Sequence, residues 1–162
     1  MIIRGYLGLS LGLPVAAMAA AMPAAAAPVD DAVSTITITL DKVNARDADA
    51  FVKAHHDGAL IVDEFAPFIW GGNGSVQKWL GDYAKDAGAK GISGGRIDYG
   101  KPIQANADAG AAYVVLPTTY RFQQGGKKMA GAGSMAFVMA RRGGEWKISS
   151  WTYAGPTSSP ER

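Results

Sequence analysis

The amino-acid sequence predicts one α+β domain, with helices in the first half of the chain and antiparallel strands in the second. The chain has 162 residues, 48% hydrophobic and 19% charged, which is typical of a single globular domain. Helical periodicity dominates the segments after Asp30, whereas long strand-like segments separated by short turns dominate after Arg96. This separation favours an α+β arrangement over alternating βαβ units.

Charge and cysteine content exclude several classes of function. Sixteen Lys and Arg against fourteen Asp and Glu leave a net charge of +2, spread along the chain without a basic block. The electrostatic footprint of a nucleic-acid-binding protein is therefore absent. The chain has no cysteine, which excludes disulfides, a thiolate nucleophile and thiolate zinc sites. We expect no cofactor.

Residues 1–26 have the pattern of a secretory signal peptide. A single charge at Arg4 precedes an uncharged run over 5–22, and the small residues of 24–27 supply a cleavage site. We expect cleavage after Ala26, leaving a periplasmic or secreted domain over 27–162 that has no contact with the membrane. The alternative is a retained anchor, because the uncharged run only just reaches spanning length.

Two helices are expected at the start of the mature domain. Residues 30–44 alternate like a strand, yet their apolar residues also form a helical stripe: Val33, Ile36, Leu40 and Val43. We interpret this segment as a helix. Asp47 is expected to cap a second helix that ends near 56–58 and buries Phe51, Val52 and His55 on one face.

A strand and a third helix complete the first half. The strand is expected over 59–65, with Ile61, Asp63 and Phe65 on one face and Glu64 on the other. Ser75 is expected to cap the third helix, which Gly88 closes. Its apolar stripe would cover a sheet and consists of Val76, Trp79, Leu80, Tyr83 and Ala84.

Four strands are expected in the second half, over 96–105, 111–123, 129–141 and 146–153. The turns between them are short, and short turns join antiparallel neighbours. In the last strand the aromatic residues change parity, so either both faces are covered or a bulge lies near 149–150. We favour the bulge.

The element order, carried by Val43 to Phe65, the aromatic helix Ser75 to Tyr83 and the strand Trp146 to Tyr153, resembles the nuclear transport factor 2-like superfamily. Within it, the SnoaL-like and ketosteroid isomerase-like proteins are the most similar groups. The resemblance implies a cone in which the helices pack on a curved, mainly antiparallel sheet around one apolar pocket. It also implies a homodimer through the sheet. Such a fold hosts many reactions as well as plain binding modules.

Asp63 is the leading catalytic candidate. Its expected strand face is apolar, so desolvation would raise its pKa and suit it to proton transfer. The resemblance implies the same place for a general base, at the end of the first strand. The alternative is an acid that caps a backbone or pairs with a surface lysine.

His55 is expected to reach the pocket and orient Asp63, or else to be a satisfied core histidine. His55 and His56 point apart on a helix, so we expect no metal site.

The other groups of the isomerase site are missing. The resemblance places Thr39 near the family's tyrosine and apolar residues of 135–138 at its second acid, so steroid isomerisation is not expected. A tyrosine from elsewhere could substitute. We expect an apolar or aromatic ligand among Trp70, Trp79, Tyr83, Tyr113, Tyr120, Phe137 and Trp151. The alternative is a non-catalytic interaction module whose own aromatic side chains fill the cone.

Overall fold

The computed structural model describes residues 27–161, so the expected signal peptide over 1–26 lies outside the described residues. The helices of this part of the chain are α1 (Pro28–Asn44), α2 (Ala48–Lys53) and α3 (Ser75–Ala89). The strands are β1 (His55–Val62), β2 (Ile69–Gly72), β3 (Ile92–Tyr99), β4 (Gln104–Ala107), β5 (Ala111–Gln124), β6 (Lys127–Arg142), β7 (Glu145–Ala154) and β8 (Ser159–Pro160). The expected α+β class is confirmed.

One curved sheet carries all of these strands. The main path runs β2-β1-β7-β6-β5-β3, while β4 also pairs with β5 and β8 with β6. The neighbours β5, β6 and β7 are antiparallel and joined by short turns, as expected. Only one pairing of the described sheet, β1 with β7, is parallel. The sheet is therefore mainly antiparallel, as the resemblance implied.

The expected bulge in β7 is present. Val138 of β6 pairs with Ser150 of β7, whereas the next residue, Met139, pairs with Ile148. Ser149 is thus the extra residue, and it shifts the parity of the strand. As a result Trp146, Ile148 and Trp151 are all buried.

The prediction for the second helix is wrong at its end. The helix stops at Lys53, and His55 begins β1 instead of lying on the helix face. His55 pairs with Ile148, whose N–H donates to the Ala54 carbonyl at 2.9 Å. A helix of six residues has few internal hydrogen bonds to lose, so pairing with β7 outweighs another helical turn.

The boundaries around α3 also differ from the prediction. Strand β1 ends at Val62, and the short strand β2 was not expected. Gly74, with φ of 72°, is the cap of α3 in place of Ser75. The Ser75 hydroxyl instead donates to the Ala59 carbonyl at 2.6 Å, because this side chain is buried against β1. The helix continues through Gly88 for one more residue.

The strand predicted over 96–105 is two strands, β3 and β4. The break between them contains Pro102, which has no N–H to donate to a ladder. Both pieces pair with β5, so the chain bends there without leaving the sheet.

The core lies between the helices and the inner face of the sheet. Its most deeply buried side chains come from α1, β1, β5, β6 and β7: Ile36, Leu40, Ile61, Val114, Leu116, Phe137, Met139 and Ile148. The outer face exposes apolar side chains of the same strands: Leu60, Val62, Tyr113 and Val138. Within residues 27–161 no helix has the length and apolar content needed to cross a membrane.

Candidate functional site

A cavity of about 320 Å³ opens between the helices and the inner face of the sheet. We call its apolar base the floor, which is formed by Leu40, Phe137, Ile148 and Trp151. We call its polar entrance the mouth, which includes Arg46, Asp63, Glu64, Asp86 and Lys90. An apolar cavity of this size with a few polar groups is typical of sites for small molecules.

Asp63 lies in the wall of this cavity, immediately after β1. Its carboxylate accepts a hydrogen bond from Trp79 Nε1 at 3.0 Å and from the Glu64 N–H at 2.8 Å. Burial raises the pKa of Asp63, and this effect is larger than that of the two hydrogen bonds, which lower it. A carboxyl of this kind can accept or donate a proton near the ligand. Its catalytic role stays a prediction.

Glu64 also lines the cavity, whereas the sequence predicted that it faces away. That prediction was wrong because β1 ends at Val62, so strand alternation does not continue to Glu64. Burial and the neighbouring Asp63 charge both raise the pKa of Glu64. The mouth therefore holds two adjacent carboxyl groups.

A pair of tyrosine hydroxyls faces the cavity from the opposite walls. The hydroxyl oxygens of Tyr83 on α3 and Tyr120 on β5 lie 2.5 Å apart. Burial and the hydrogen bond to Tyr83 raise the pKa of Tyr120, so this phenol stays protonated as a donor. Gly95 makes room for them, because a Cβ at that position would lie 2.5 Å from the Tyr120 hydroxyl. Hydroxyls in such a place can stabilise a developing oxyanion.

The tyrosine pair is linked to Asp63 through Trp79. The indole of Trp79 stacks on Tyr83, with ring centroids 5.4 Å apart, while its N–H binds Asp63. The sequence stripe of α3 predicted that Trp79 and Tyr83 share a face. That stripe gave no information on Tyr120, because the contact of Tyr120 with Tyr83 depends on how α3 lies over the sheet.

His55 does not meet Asp63. Its Nδ1 lies 2.7 Å from the Phe51 carbonyl, and its Nε2 has no hydrogen-bond partner among the described residues. Burial lowers the pKa of His55 to about 4, so the imidazole is neutral at neutral pH. Because His55 belongs to β1, the expected pairing with Asp63 is not formed, and the cavity lining does not include it.

Five of the seven expected ligand-binding aromatic residues line the cavity: Trp79, Tyr83, Tyr120, Phe137 and Trp151. Trp70 does not, because its ring packs on Phe65 at 4.9 Å and its N–H donates to Asp82 at 3.0 Å. Tyr113 is 41% exposed, because its place in the alternation of β5 puts it on the outer face.

Two basic residues of the mouth were missed by the sequence analysis, Arg46 and Lys90. Lys90 pairs with Asp86 at 2.8 Å. Arg46 follows α1 in a left-handed backbone conformation, with φ of 66°.

In residues 27–161 no group of three His, Cys, Asp or Glu side chains converges as a metal ion requires.

The fold matches solved structures of the nuclear transport factor 2-like superfamily. A hexachlorocyclohexane dehydrochlorinase, LinA type 2, aligns with a TM-score of 0.65 at 15% identity over 83% of this chain and 86% of its own. A candidate scytalone dehydratase from Novosphingobium aromaticivorans DSM 12444 aligns with 0.66 at 9% identity, over 82% and 87%. An NTF-2 like protein from Shewanella oneidensis MR-1 aligns with 0.58 at 17% identity, over 78% and 98%.

The chain therefore has the nuclear transport factor 2-like fold, which confirms the resemblance drawn from its sequence. Neither a protein-family model nor a curated protein sequence matches the chain. At such low identities the likeness establishes the fold and not the reaction.

Proposed function

We propose that this chain is an exported protein of the SnoaL-like type that binds an apolar small molecule in the cavity, with Asp63 moving a proton to or from it. The observation that carries this proposal is the position of Asp63: a half-buried carboxyl with a raised pKa in the wall of a cavity whose floor is apolar. In the reaction the carboxylate removes a proton from a C–H bond of the ligand. Where that carbon adjoins a carbonyl group, the electron pair of the C–H bond moves onto the carbonyl oxygen, which accepts a hydrogen bond from the one O–H of the Tyr83–Tyr120 pair that is not donated within the pair.

Two structural neighbours support a step of this kind. One is named a dehydrochlorinase and the other a candidate dehydratase, and both names denote eliminations. In an elimination of this kind a proton leaves carbon either before the leaving group departs or at the same time. The proposal for this chain rests on its own carboxyl and hydroxyls, not on those names.

Asp63→Asn tests the role of the carboxyl, because the amide keeps the shape and removes the charge. The raised pKa means that the folded state holds its proton more tightly than the unfolded state. The contribution of Asp63 to stability is then full below its unfolded pKa and is lost as pH rises through the folded value. We expect the difference in unfolding free energy between wild type and variant to follow that course, and carboxyl NMR of the wild type to titrate above the usual range.

Asp98→Asn is the matched control. Hydrogen bonds from Arg96 and Arg121 lower the pKa of this exposed carboxyl, so its pH dependence has the opposite sign. If Asp63 titrates like a free aspartate and its variant shows the wild-type profile, Asp63 is solvated and the proposed role is lost.

A homodimer through the outer face of the sheet is the second part of the proposal. Tyr113, Val138, Ser150 and Leu60 lie in register across four neighbouring strands, and three of these side chains are exposed and apolar. An apolar row of this kind is typical of an interaction surface. We expect Val138→Lys to shift the sedimentation of the protein from dimer to monomer. A monomeric wild type at micromolar concentration would contradict this part.

Export is tested on protein isolated from the cell envelope. Mass spectrometry should find a chain that begins near Ala27, as the pattern of residues 1–26 predicts. An intact Met1 in cytoplasmic protein would contradict export and leave the cavity chemistry untouched.

A further inference from the structure

The mouth of the cavity contains a guanidinium without a carboxylate partner. Arg46 contributes to the lining, and its Nη2 donates to the Gly95 carbonyl at 3.4 Å, a long hydrogen bond. No Asp or Glu of residues 27–161 lies within ion-pair distance of it. Arg46 therefore presents an unbalanced positive charge to whatever enters.

Apart from Asp63 and Glu64, the charged groups near Arg46 are already paired. Lys90 pairs with Asp86 at 2.8 Å, and Arg96 pairs with Asp98 at the same distance. The neighbouring carboxylate, Asp47, lies 3.6 Å from Lys42 and also accepts the Ala50 N–H as the cap of α2. None of these groups offers Arg46 a partner.

The backbone holds Arg46 at the rim. Its φ of 66° is uncommon for a residue other than glycine. The conformation is maintained because the Arg46 N–H donates to the Val43 carbonyl and the Asp47 N–H to the Lys42 carbonyl, each at 2.9 Å. Strained positions of this kind persist where the surrounding structure determines them, and they cluster at ligand sites.

The polar groups of the mouth come from different elements. Asp63 and Glu64 follow β1, whereas Arg46 follows α1 and contacts Gly95 of β3. The hydroxyls of Tyr83 and Tyr120 also lie against Gly95. A bound molecule thus meets a cation and two hydroxyls that converge on Gly95, and carboxyl groups that follow β1.

We propose that the ligand is an amphipathic organic acid, with a ring-sized apolar body on the floor and one carboxylate bound to Arg46. The planar guanidinium fork of the exposed Arg46 matches a carboxylate in two parallel hydrogen bonds, and such charge-assisted hydrogen bonds are stronger than those between neutral groups. This inference rests on the proposed function, because it names the class of molecule on which Asp63 acts. The carboxylate at Arg46 turns the opposite end of the ligand toward Asp63.

The test compares 2-naphthoate with its neutral analogue 2-naphthamide, using quenching of tryptophan fluorescence at low salt. Trp79 and Trp151 line the cavity and report on occupation. We expect the acid to bind the wild type at least tenfold more tightly than the amide, which corresponds to about 1.4 kcal/mol. Arg46→Gln should remove this preference, and Arg46→Lys should keep part of it because the charge remains without the fork.

Arg142→Gln is the matched control, since Arg142 is an exposed cation at the end of β6 and is not part of the cavity lining. It should bind both compounds like the wild type, and unfolding curves should show each variant folded. The inference is overturned if the wild type binds both compounds equally, or if Arg46→Gln keeps the preference. If the wild type binds both compounds equally and Asp63 titrates with a raised pKa, the inference about Arg46 fails but the proposed function stands. If the wild type binds neither ring compound, the proposal of an apolar ligand fails as well.

Discussion

The floor and the mouth of the cavity are built on the same sheet, yet they differ in almost every physical respect. The floor residues Phe137 and Ile148 are 2% and 0% exposed and carry no charge. The mouth holds half-buried Asp63 and exposed Glu64, both with raised pKa values, together with Arg46, whose guanidinium has no carboxylate partner within residues 27–161. The floor is arranged for stability, whereas the mouth keeps charged groups where they cost stability.

This contrast separates residues that maintain the cone from residues that act in it. A floor substitution changes packing and should lower the free energy of unfolding strongly. A mouth substitution should change stability little while it changes binding or the pH profile. The following predictions test that division, beginning with the largest effect.

Phe137→Ala should lower the unfolding free energy by about 3–5 kcal/mol, the usual cost of removing a buried ring. The ring is 2% exposed and packs within the floor. Denaturant unfolding measures the loss. Val138→Ala, one residue further on the outer face and 41% exposed, is the control and should stay within about 0.5 kcal/mol of wild type in dilute solution. Equal losses for the two variants would mean that the floor is not the core.

His55 should make the protein sensitive to acid. It pairs with the floor residue Ile148, and burial lowers its pKa from 6.5 to about 4. The unfolded state therefore binds more protons between these values, and the stabilisation present above pH 6.5 is lost as pH falls toward 4. The linkage amounts to about 3 kcal/mol.

Carboxyl groups also titrate in this pH range, so the contribution of His55 to the unfolding free energy is obtained by comparing the wild type with His55→Gln. The variant should lack the fall in unfolding free energy over that range. His56→Gln, which changes the adjacent and less buried histidine, should retain it. A wild-type slope in His55→Gln would contradict the prediction, because it would show that His55 binds its proton equally well in the folded and unfolded states.

Tyr120→Phe is expected to have the smallest effect on stability. It removes one hydroxyl of the 2.5 Å pair with Tyr83, a loss of about 1 kcal/mol for a hydrogen bond of this kind. Tyr113→Phe on the outer face of the same strand should leave the unfolding free energy unchanged. If the two variants have the same unfolding free energy, the hydroxyl pair contributes nothing to stability. If Tyr120→Phe then changes ligand binding alone, the role of the pair is purely functional.

Local sequence patterns predicted the floor better than the mouth. The stripe of α1 predicted that Leu40 is buried, and the stripe of α3 predicted the same for Trp79. The parity change in β7 even predicted the bulge that turns Trp151 inward. These features repeat along one element, so hydrophobic burial alone determines them.

In the mouth, strand alternation predicted only Asp63, because the other residues come from element ends and turns. The sequence analysis assigned Glu64 to the wrong face and His55 to the wrong element. Both errors arose because the ends of β1 were placed incorrectly. Arg46 gave no periodic signal because it lies between two helices.

The sequence by itself determined the α+β class, the three strands β5, β6 and β7 and most of the apolar interior, because each follows from periodicity within one segment. The resemblance predicted Asp63 and Tyr120 in one pocket, but only the tertiary structure decided that Glu64 and Arg46 share it. These residues are separated along the chain and join through the parallel pairing of β1 with β7, the packing of α3 against β1 and β3 and the close approach of Gly95 to the tyrosine hydroxyls. Contacts between distant segments depend on how whole elements pack, and no local pattern encodes that geometry.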